Sequence, residues 1–187
     1  MSLQEEDGYI LEQMRQCVQS EKPLEYIDYS NKHDFGYHYK NQYRILFFSK
    51  HICTALNNLG MVQNKSLKLK FPKISKQLYK DFILGYFDGD GSFCPHYTRT
   101  NKFQPLLTFT STYDFCKELQ SILINELGIS GGNVYDASCH NGVTSVLSIS
   151  GTKQTKTILD WLYQDSPMFL NRKYDKYINA FYNDDNK

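Results

Sequence analysis

Residues 81–93, with the sequence DFILGYFDGDGSF, constrain the fold more than any other stretch of the chain. Their apolar run predicts a helix of about two and a half turns that ends in alternating Asp and Gly. Gly85 and Gly89 are four residues apart, so they share one helix face and allow a second helix to approach closely. Gly91 suits a helix C-terminus, and an extended segment is expected to begin at Ser92.

Two acids, Asp88 and Asp90, lie at the predicted end of this helix. A carboxylate beside the negative end of a helix dipole is unfavourable without a cation, so a divalent metal is expected there. The alternative is a core helix whose Asp-Gly-Asp-Gly is only a turn. A calcium loop of the EF-hand type is excluded because the further acids and the closing Glu are absent.

Composition limits the class of protein. The 187 residues are enough for one domain or two closely packed halves, and 41% hydrophobic with 15% aromatic residues exclude a disordered chain. No apolar run approaches membrane-spanning length, and no signal-peptide pattern is seen. The five cysteines are scattered without CxxC spacing, which favours reduced thiols over a zinc site or a disulfide framework. We therefore expect the cytoplasm, near the nucleoid, or an organellar matrix, and not secretion.

Net charge gives only weak support for a nucleic-acid partner. The chain has 21 basic and 20 acidic residues, a net charge of +1, whereas proteins that bind the phosphate backbone usually have a clear positive excess. The charge is uneven, because residues 40–80 contain Lys and Arg but no Asp or Glu. That segment suits either a phosphate-facing surface or an ordinary solvated face.

Periodicity predicts a mixed α+β chain with an internal repeat. The predicted helices cover residues 4–20, 49–60, 81–91, 112–127, 152–163 and 168–182. The predicted strands cover residues 24–30, 37–48, 65–71, 92–97, 103–111, 134–138 and 143–150, with a turn at His140-Asn141-Gly142. Residues 43–56 align with residues 146–159, which pairs Lys50 with Lys153. The second copy follows the Asp-Gly helix and a hairpin, whereas the first copy has no such opening; a fortuitous alignment is the alternative.

The nine residues ILGYFDGDG at 83–91, with FPKISKQLYKDF before them and SF after them, resemble the signature of the LAGLIDADG homing endonucleases. The resemblance covers roughly residues 5–182 and implies αββαββα repeats with pseudo-two-fold symmetry and a saddle-shaped antiparallel sheet. Residues 4–71 would form an incomplete first repeat and residues 72–187 a complete second repeat. The implied activity is site-specific, metal-dependent hydrolysis of double-stranded DNA, associated with intron or intein mobility.

The resemblance also implies roles for particular residues. Asp90 would bind Mg²⁺ or Mn²⁺ at the cleavage site, while Asp88, Gly85 and Gly89 would lie at the interface between two signature helices. With one motif in the chain, a second Asp90 would come from a homodimer, or the chain would be inactive. Lys153 and Lys50, at the starts of helices, are candidates for stabilising the developing charge; solvent-exposed helix starts are the alternative.

DNA contacts are expected on the strands and the connection between them, because a two-stranded ribbon fits the major groove and Arg and Gln read base edges. The candidates in the second half are His96, Tyr97, Arg99, Lys102, Gln104, Thr108 and Thr110. Those in the first half are Tyr39, Lys40, Gln42 and Arg44. A solvated hairpin would have the same composition.

Two other functions compete with the endonuclease. The single motif and the weak basic excess favour a non-catalytic DNA- or RNA-binding relative, such as an intron maturase or a regulator. A plain interaction domain with an acidic turn is disfavoured by the repeat. No membrane or small-molecule partner is expected.

Overall fold

The computed structural model describes residues 1–30, 33–34, 37–61, 68–137 and 144–183. The predicted turn at His140-Asn141-Gly142 and residues 65–67 of a predicted strand lie outside these ranges. The chain divides into two compact units, Met1–Lys50 and His51–Lys187. This division concerns compactness, so the predicted repeat boundary after residue 71 stays a prediction.

The second unit contains a four-stranded antiparallel sheet covered on one face by helices. Its elements are α3 (Tyr79–Asp90), β6 (Gly91–Cys94), β7 (Leu106–Ser111), α4 (Tyr113–Leu127), β8 (Asn133–Asp136), β9 (Ser145–Ser150), α5 (Thr152–Tyr163) and α6 (Asn171–Phe181). The strands lie in the order β6-β7-β9-β8, with β7 and β9 in the centre. The predicted order of helix, two strands, helix, two strands and helix is confirmed here.

Strict alternation along the strands places the core on one face of the sheet. Phe93 of β6, Leu107 and Phe109 of β7, and Leu147 and Ile149 of β9 are buried and pack against the helices. The side chains between them point to the opposite face, which the helices leave uncovered. The amphipathic sheet therefore presents a second, polar face.

Helix α3 packs into the same core through Ile83, Leu84 and Phe87. Gly91 follows the last residue of α3, as the sequence predicts, and begins β6 with φ −88° and ψ 160°, which is extended backbone and not the left-handed conformation in which glycine often ends a helix. A glycine is needed there for space, because a Cβ atom would lie 2.7 Å from the Phe87 carbonyl oxygen. The last turn of α3 therefore passes directly into an edge strand.

Helix α4 begins and ends as its sequence predicts. The Thr112 hydroxyl accepts the Phe115 N–H at 3.3 Å, and Gly128 ends the helix in the left-handed region at φ 60°. The Thr112 hydroxyl also donates to the Leu69 carbonyl at 2.5 Å. Leu69 and Phe71 pack against the hydrophobic core of the second unit, and residues 68–71, the described part of the predicted strand 65–71, do not form a strand.

The first unit has a three-stranded sheet, a separate two-stranded sheet and one α-helix packed within it. It contains β1 (Ser2–Gln4), α1 (Gly8–Cys17), β2 (Glu25–Ile27), β3 (His33–Asp34), β4 (Tyr37–His38) and β5 (Gln42–Arg44), and α2 (Lys50–Asn58) begins at its end. Strand β5 lies between β1 and β2 in the three-stranded sheet, and β3 and β4 form the two-stranded sheet. The helix predicted over residues 4–20 is thus shorter, because residues 2–4 pair with β5.

The strands predicted over residues 24–30 and 37–48 are also shorter than expected. Side chains take the place of strand partners, since Asp28 accepts the Ser30 N–H and Asn41 accepts the Tyr29 N–H, each at 2.8 Å. Among the described helices, none is both long and apolar enough to cross a membrane.

Candidate functional site

The exit of α3 separates its two acids. Successive helical residues are about 100° apart, so Asp88 and Asp90 point to different sides. The Asp88 carboxylate accepts the Leu170 N–H at 2.9 Å and is half-buried. Asp90 is exposed, and within the described ranges no hydrogen bond or ion pair engages its carboxylate. Asp90 is therefore the acid that can accept a ligand.

A lysine supplies the positive charge at this helix end. The Lys173 ammonium, on the first turn of α6, donates to the carbonyl oxygens of Phe87 at 2.5 Å, Asp88 at 3.0 Å and Gly91 at 2.6 Å. It also lies 4.7 Å from the centre of the Phe87 ring. The sequence led us to expect a divalent metal as the cation here; the protein itself provides an ammonium group.

The described residues do not complete a metal site on their own. No group of three or more His, Cys, Asp or Glu side chains is found together in this part of the chain. Asp90 offers one exposed carboxylate, which matches the chemistry of a hard divalent cation but supplies only one protein ligand.

Tyr86 lies one helical turn before Asp90 and connects α3 to the sheet. Its hydroxyl donates to the Thr110 carbonyl of β7 at 2.8 Å, and its ring is 4.4 Å from that of Phe115. Burial raises the pKa of Tyr86 to about 12; Ser111 opposes the rise and the Asp90 carboxylate adds to it. The phenol is therefore a neutral donor at physiological pH.

The glycine face of α3 is open. Gly85 and Gly89 are exposed, and apart from the backbone of α3 itself no atom of the described residues lies within 4 Å of a Cβ atom built on either glycine. The predicted close helix contact is therefore not made by the described residues of this chain, and its formation with a second copy stays a prediction.

The two predicted lysines lie at helix starts, and Lys153 lies away from the α3 exit in the second unit. Lys153 is exposed in the first turn of α5, and Lys50 is exposed at the first residue of α2. Ser150, which ends β9 just before the helix of Lys153, lies in the same row of the sheet as Cys94. Gly91, which follows the α3 exit, lies in the same row as Leu147. These two rows are about 10 Å apart along the strands. Catalytic roles for Lys153 and Lys50 stay predictions.

One row of the uncovered sheet face consists of short, uncharged side chains. Strand register aligns Ser92, Thr108, Ser148 and Asn133 in one row across all four strands. Thr110 lies in the neighbouring row on the same face. Thr108 and Thr110 were predicted from the hairpin alone, whereas Ser148 and Asn133 were missed because only the register of β8 and β9 brings them alongside.

The remaining candidates of the second unit lie in the connection between β6 and β7. This connection is ordered by a Tyr97–Phe103 bridge, with ring centres 5.1 Å apart, and by the Gln104 N–H donating to the His96 carbonyl at 2.7 Å. All five predicted DNA-contacting side chains in this connection are exposed to solvent, namely those of His96, Tyr97, Arg99, Lys102 and Gln104. The structure therefore groups these five side chains beside one end of the sheet.

In the first unit, both predicted DNA-contacting cations form ion pairs. Arg44 contacts Glu25 at 2.6 Å, and Lys40 contacts Glu6 at 3.1 Å. Gln42 is half-buried on the same central strand as Arg44, and Tyr39 is 40% exposed. These pairs reduce the positive charge that this unit can offer to phosphates.

Sequence reasoning missed Lys173, although a signal was present. The first turn of α6 contains Arg172 and Lys173 and no acid, whereas helix starts favour acidic residues. Basic side chains at a helix start are expected when they serve a neighbouring group, and here that group is the end of α3.

Comparison with solved structures identifies the architecture. The chain resembles the I-LtrWI LAGLIDADG homing endonuclease bound to target DNA, with a TM-score of 0.57 and 13% identity over 97% of this chain and 77% of that chain. It also resembles the I-SmaMI LAGLIDADG homing endonuclease bound to cleaved DNA, with a TM-score of 0.56 and 16% identity over 96% and 75% of the two chains.

The chain has the LAGLIDADG homing endonuclease fold. The I-CvuI homing endonuclease in complex with its target gives a TM-score of 0.44 at 18% identity, and the match covers 56% of this chain and 65% of that chain, just under two thirds. No family model matches the sequence, and no curated protein matches it. The LAGLIDADG resemblance at residues 83–91 is thus confirmed at the level of the fold, and α3 is the helix that contains the signature.

Proposed function

We propose that this chain binds double-stranded DNA and acts as a site-specific endonuclease. The observation that carries the proposal is the exposed, unengaged Asp90 carboxylate at the end of the signature helix, in a chain whose fold is shared with DNA-bound homing endonucleases. The polar face of the sheet would lie on the DNA. Its hydroxyl and amide groups suit hydrogen bonding to base edges.

Two copies of the chain would bring two Asp90 residues together through the Gly85 and Gly89 face. The open glycine stripe supports this arrangement because it permits a close approach of helix backbones. Each Asp90 would then hold Mg²⁺ or Mn²⁺ together with phosphate oxygens. Bound metal would polarise the scissile phosphate and lower the pKa of a bound water.

A cleavage assay tests this proposal. A randomised duplex pool is incubated with the full chain in Mg²⁺ and then in Ca²⁺, and cleaved products are sequenced while sedimentation reports the oligomeric state. We expect products at defined sites in Mg²⁺, a dimer on DNA, and no products from Asp90→Asn. A chain that leaves the pool intact at all Mg²⁺ and Mn²⁺ concentrations would contradict the nuclease assignment.

A non-catalytic DNA- or RNA-binding protein, such as an intron maturase or a regulator, is the second candidate. One observation favours it, namely the lack of an acidic cluster among the described residues. Specific binding by the wild type, retained unchanged in Asp90→Asn and without any cleavage, would support it.

The exposed thiols of Cys17, Cys53 and Cys94 suit a reducing compartment, the cytoplasm or an organellar matrix.

A further inference from the structure

We propose that α3 and α6 cap each other, and that this reciprocal cap positions the Asp90 carboxylate. Asp88 of α3 binds the start of α6, and Lys173 of α6 binds the end of α3. Asp88 and Lys173 are thus positioning residues, which act through the backbone that holds Asp90. The catalytic part of this inference rests on the proposed endonuclease function, whereas its structural part does not.

The end of α3 needs partners for its last carbonyl groups, because these have no N–H group further along the helix. The Gly91 N–H donates to the Phe87 carbonyl and so provides a hydrogen bond for one of these carbonyl groups. Lys173 donates to the same Phe87 oxygen and to the carbonyls of Asp88 and Gly91. A compact ammonium with three donors matches three converging oxygens, and its charge opposes the negative end of the dipole.

The start of α6 needs the opposite chemistry. Its first N–H groups carry partial positive charge, yet the first turn contains no acid of its own. Asp88 supplies the carboxylate by accepting the N–H of Leu170, the residue that precedes the helix. This contact explains why α6 begins at Asn171 and not at residue 168 as its sequence suggests.

Asp90 lies inside this arrangement. Lys173 binds the carbonyl of Asp88, two residues before Asp90, and the carbonyl of Gly91, one residue after it. Gly91 is also packed tightly against Phe87. The backbone is therefore held on both sides of Asp90 while its side chain stays exposed.

Lys173→Met tests the cap, because it removes the ammonium and keeps most of the aliphatic stem. Lys176→Met is the matched control, since Lys176 is an exposed lysine on the same helix. We expect amide hydrogen exchange at Gly91 and Ser92 to be about tenfold faster in Lys173→Met and unchanged in Lys176→Met. Lys173→Arg should fall between the wild type and Lys173→Met.

Cleavage kinetics test the positioning of Asp90. Under single-turnover conditions we expect Lys173→Met to slow cleavage about 100-fold, to keep DNA affinity within about twofold, and to be partly rescued by Lys173→Arg. A merely structural role would lower affinity and rate together through loss of folded protein. Equal losses in affinity and rate, or faster exchange with an unchanged rate, would overturn the positioning role.

Two provisions keep the test decisive. If Lys173→Met does not fold, Asp88→Asn is used; it keeps an acceptor oxygen but loses the charge, and exchange at Leu170 should then be faster than in the wild type. If the wild type cleaves no DNA, the endonuclease proposal fails. Exchange at Gly91 and Ser92 still decides whether the cap exists, and unchanged exchange in Lys173→Met would refute it.

Discussion

Asp88 and Asp90 are separated by a single glycine, yet only Asp88 is tied to another helix, through the Leu170 N–H at 2.9 Å. The Asp90 carboxylate meets solvent. This difference indicates that Asp88 contributes to stability, whereas the Asp90 carboxylate is accessible to a ligand; its role in metal binding stays a prediction.

The two acids should therefore respond differently to substitution. Asp88→Ala removes an acceptor from the start of α6 and should lower the free energy of unfolding by about 1 kcal/mol. Asp90→Asn should change that free energy by less than about 0.5 kcal/mol and abolish cleavage. Urea unfolding and the cleavage assay measure the two effects; a large loss of stability in Asp90→Asn would show that Asp90 also has a structural role.

Metal removal should not unfold the protein. Because the Lys173 ammonium already neutralises the end of α3, folding does not require a divalent cation there. We expect EDTA to leave the melting temperature unchanged within about 1 °C. A melting temperature that falls in EDTA and recovers in Mg²⁺ would point to a metal in the folded state of the free chain.

Alanine substitution should have opposite effects on stability at the glycines of α3 and at the glycine that begins β6. Gly85→Ala and Gly89→Ala add a methyl group to open space, so each should stabilise the isolated chain by about 0.5–1 kcal/mol. The same methyl groups should weaken association of two copies, which sedimentation measures. Gly91→Ala should destabilise the chain by about 1–3 kcal/mol, because the new Cβ atom would crowd the Phe87 carbonyl.

Tyr86 should remain neutral at high pH. Its folded-state pKa of about 12 lies above the ordinary tyrosine value of 10.0, so its contribution to stability is complete below pH 10 and is lost as the pH rises towards 12. Burial and the hydrogen bond to Asp160 also raise the pKa of Tyr177, so tyrosine-labelled NMR spectra at about pH 11 should show more than one protonated ring, and the ring that is absent in Tyr86→Phe is assigned to Tyr86. A ring that titrates with the exposed tyrosines would contradict the burial of this phenol.

Because of Asp160, the stability of the folded protein should depend on pH in the acid range. Burial acts to raise its pKa, but hydrogen bonds from Tyr177 at 2.6 Å, Lys156 at 2.9 Å and Tyr182 at 2.8 Å outweigh burial, and the net pKa is lowered from 3.8. A lowered folded-state pKa stabilises the protein above pH 3.8, and this contribution disappears as the pH falls through the lower value.

Asp160→Asn should therefore cost about 1 kcal/mol at neutral pH, a figure that allows for the partial exposure of this group. The cost should shrink at pH values below the folded-state pKa. Asp175→Asn, at an exposed position of α6, the helix that contains Tyr177, is the control. A cost for Asp160→Asn that is the same at neutral and strongly acid pH would contradict the predicted linkage.

Local signals predicted most of the second unit. Thr112 and Gly128 bound α4, and Gly91 marks the change from helix to strand, because caps and close contacts depend on neighbouring residues. The short strand β1 was missed because its partner β5 is about 40 residues away, and neither strand is stable alone. Lys173 was missed for the same reason, since it serves carbonyl groups more than 80 residues earlier.

The row Ser92, Thr108, Ser148 and Asn133 alternates with buried neighbours, so its side chains lie outside the core. Substitution along this row changes the outer surface without repacking Phe93, Leu107 or Ile149. If this face contacts DNA as proposed, the sheet separates heritable change in recognition from heritable change in folding. A lineage of such chains would then acquire new targets one position at a time while each intermediate still folds.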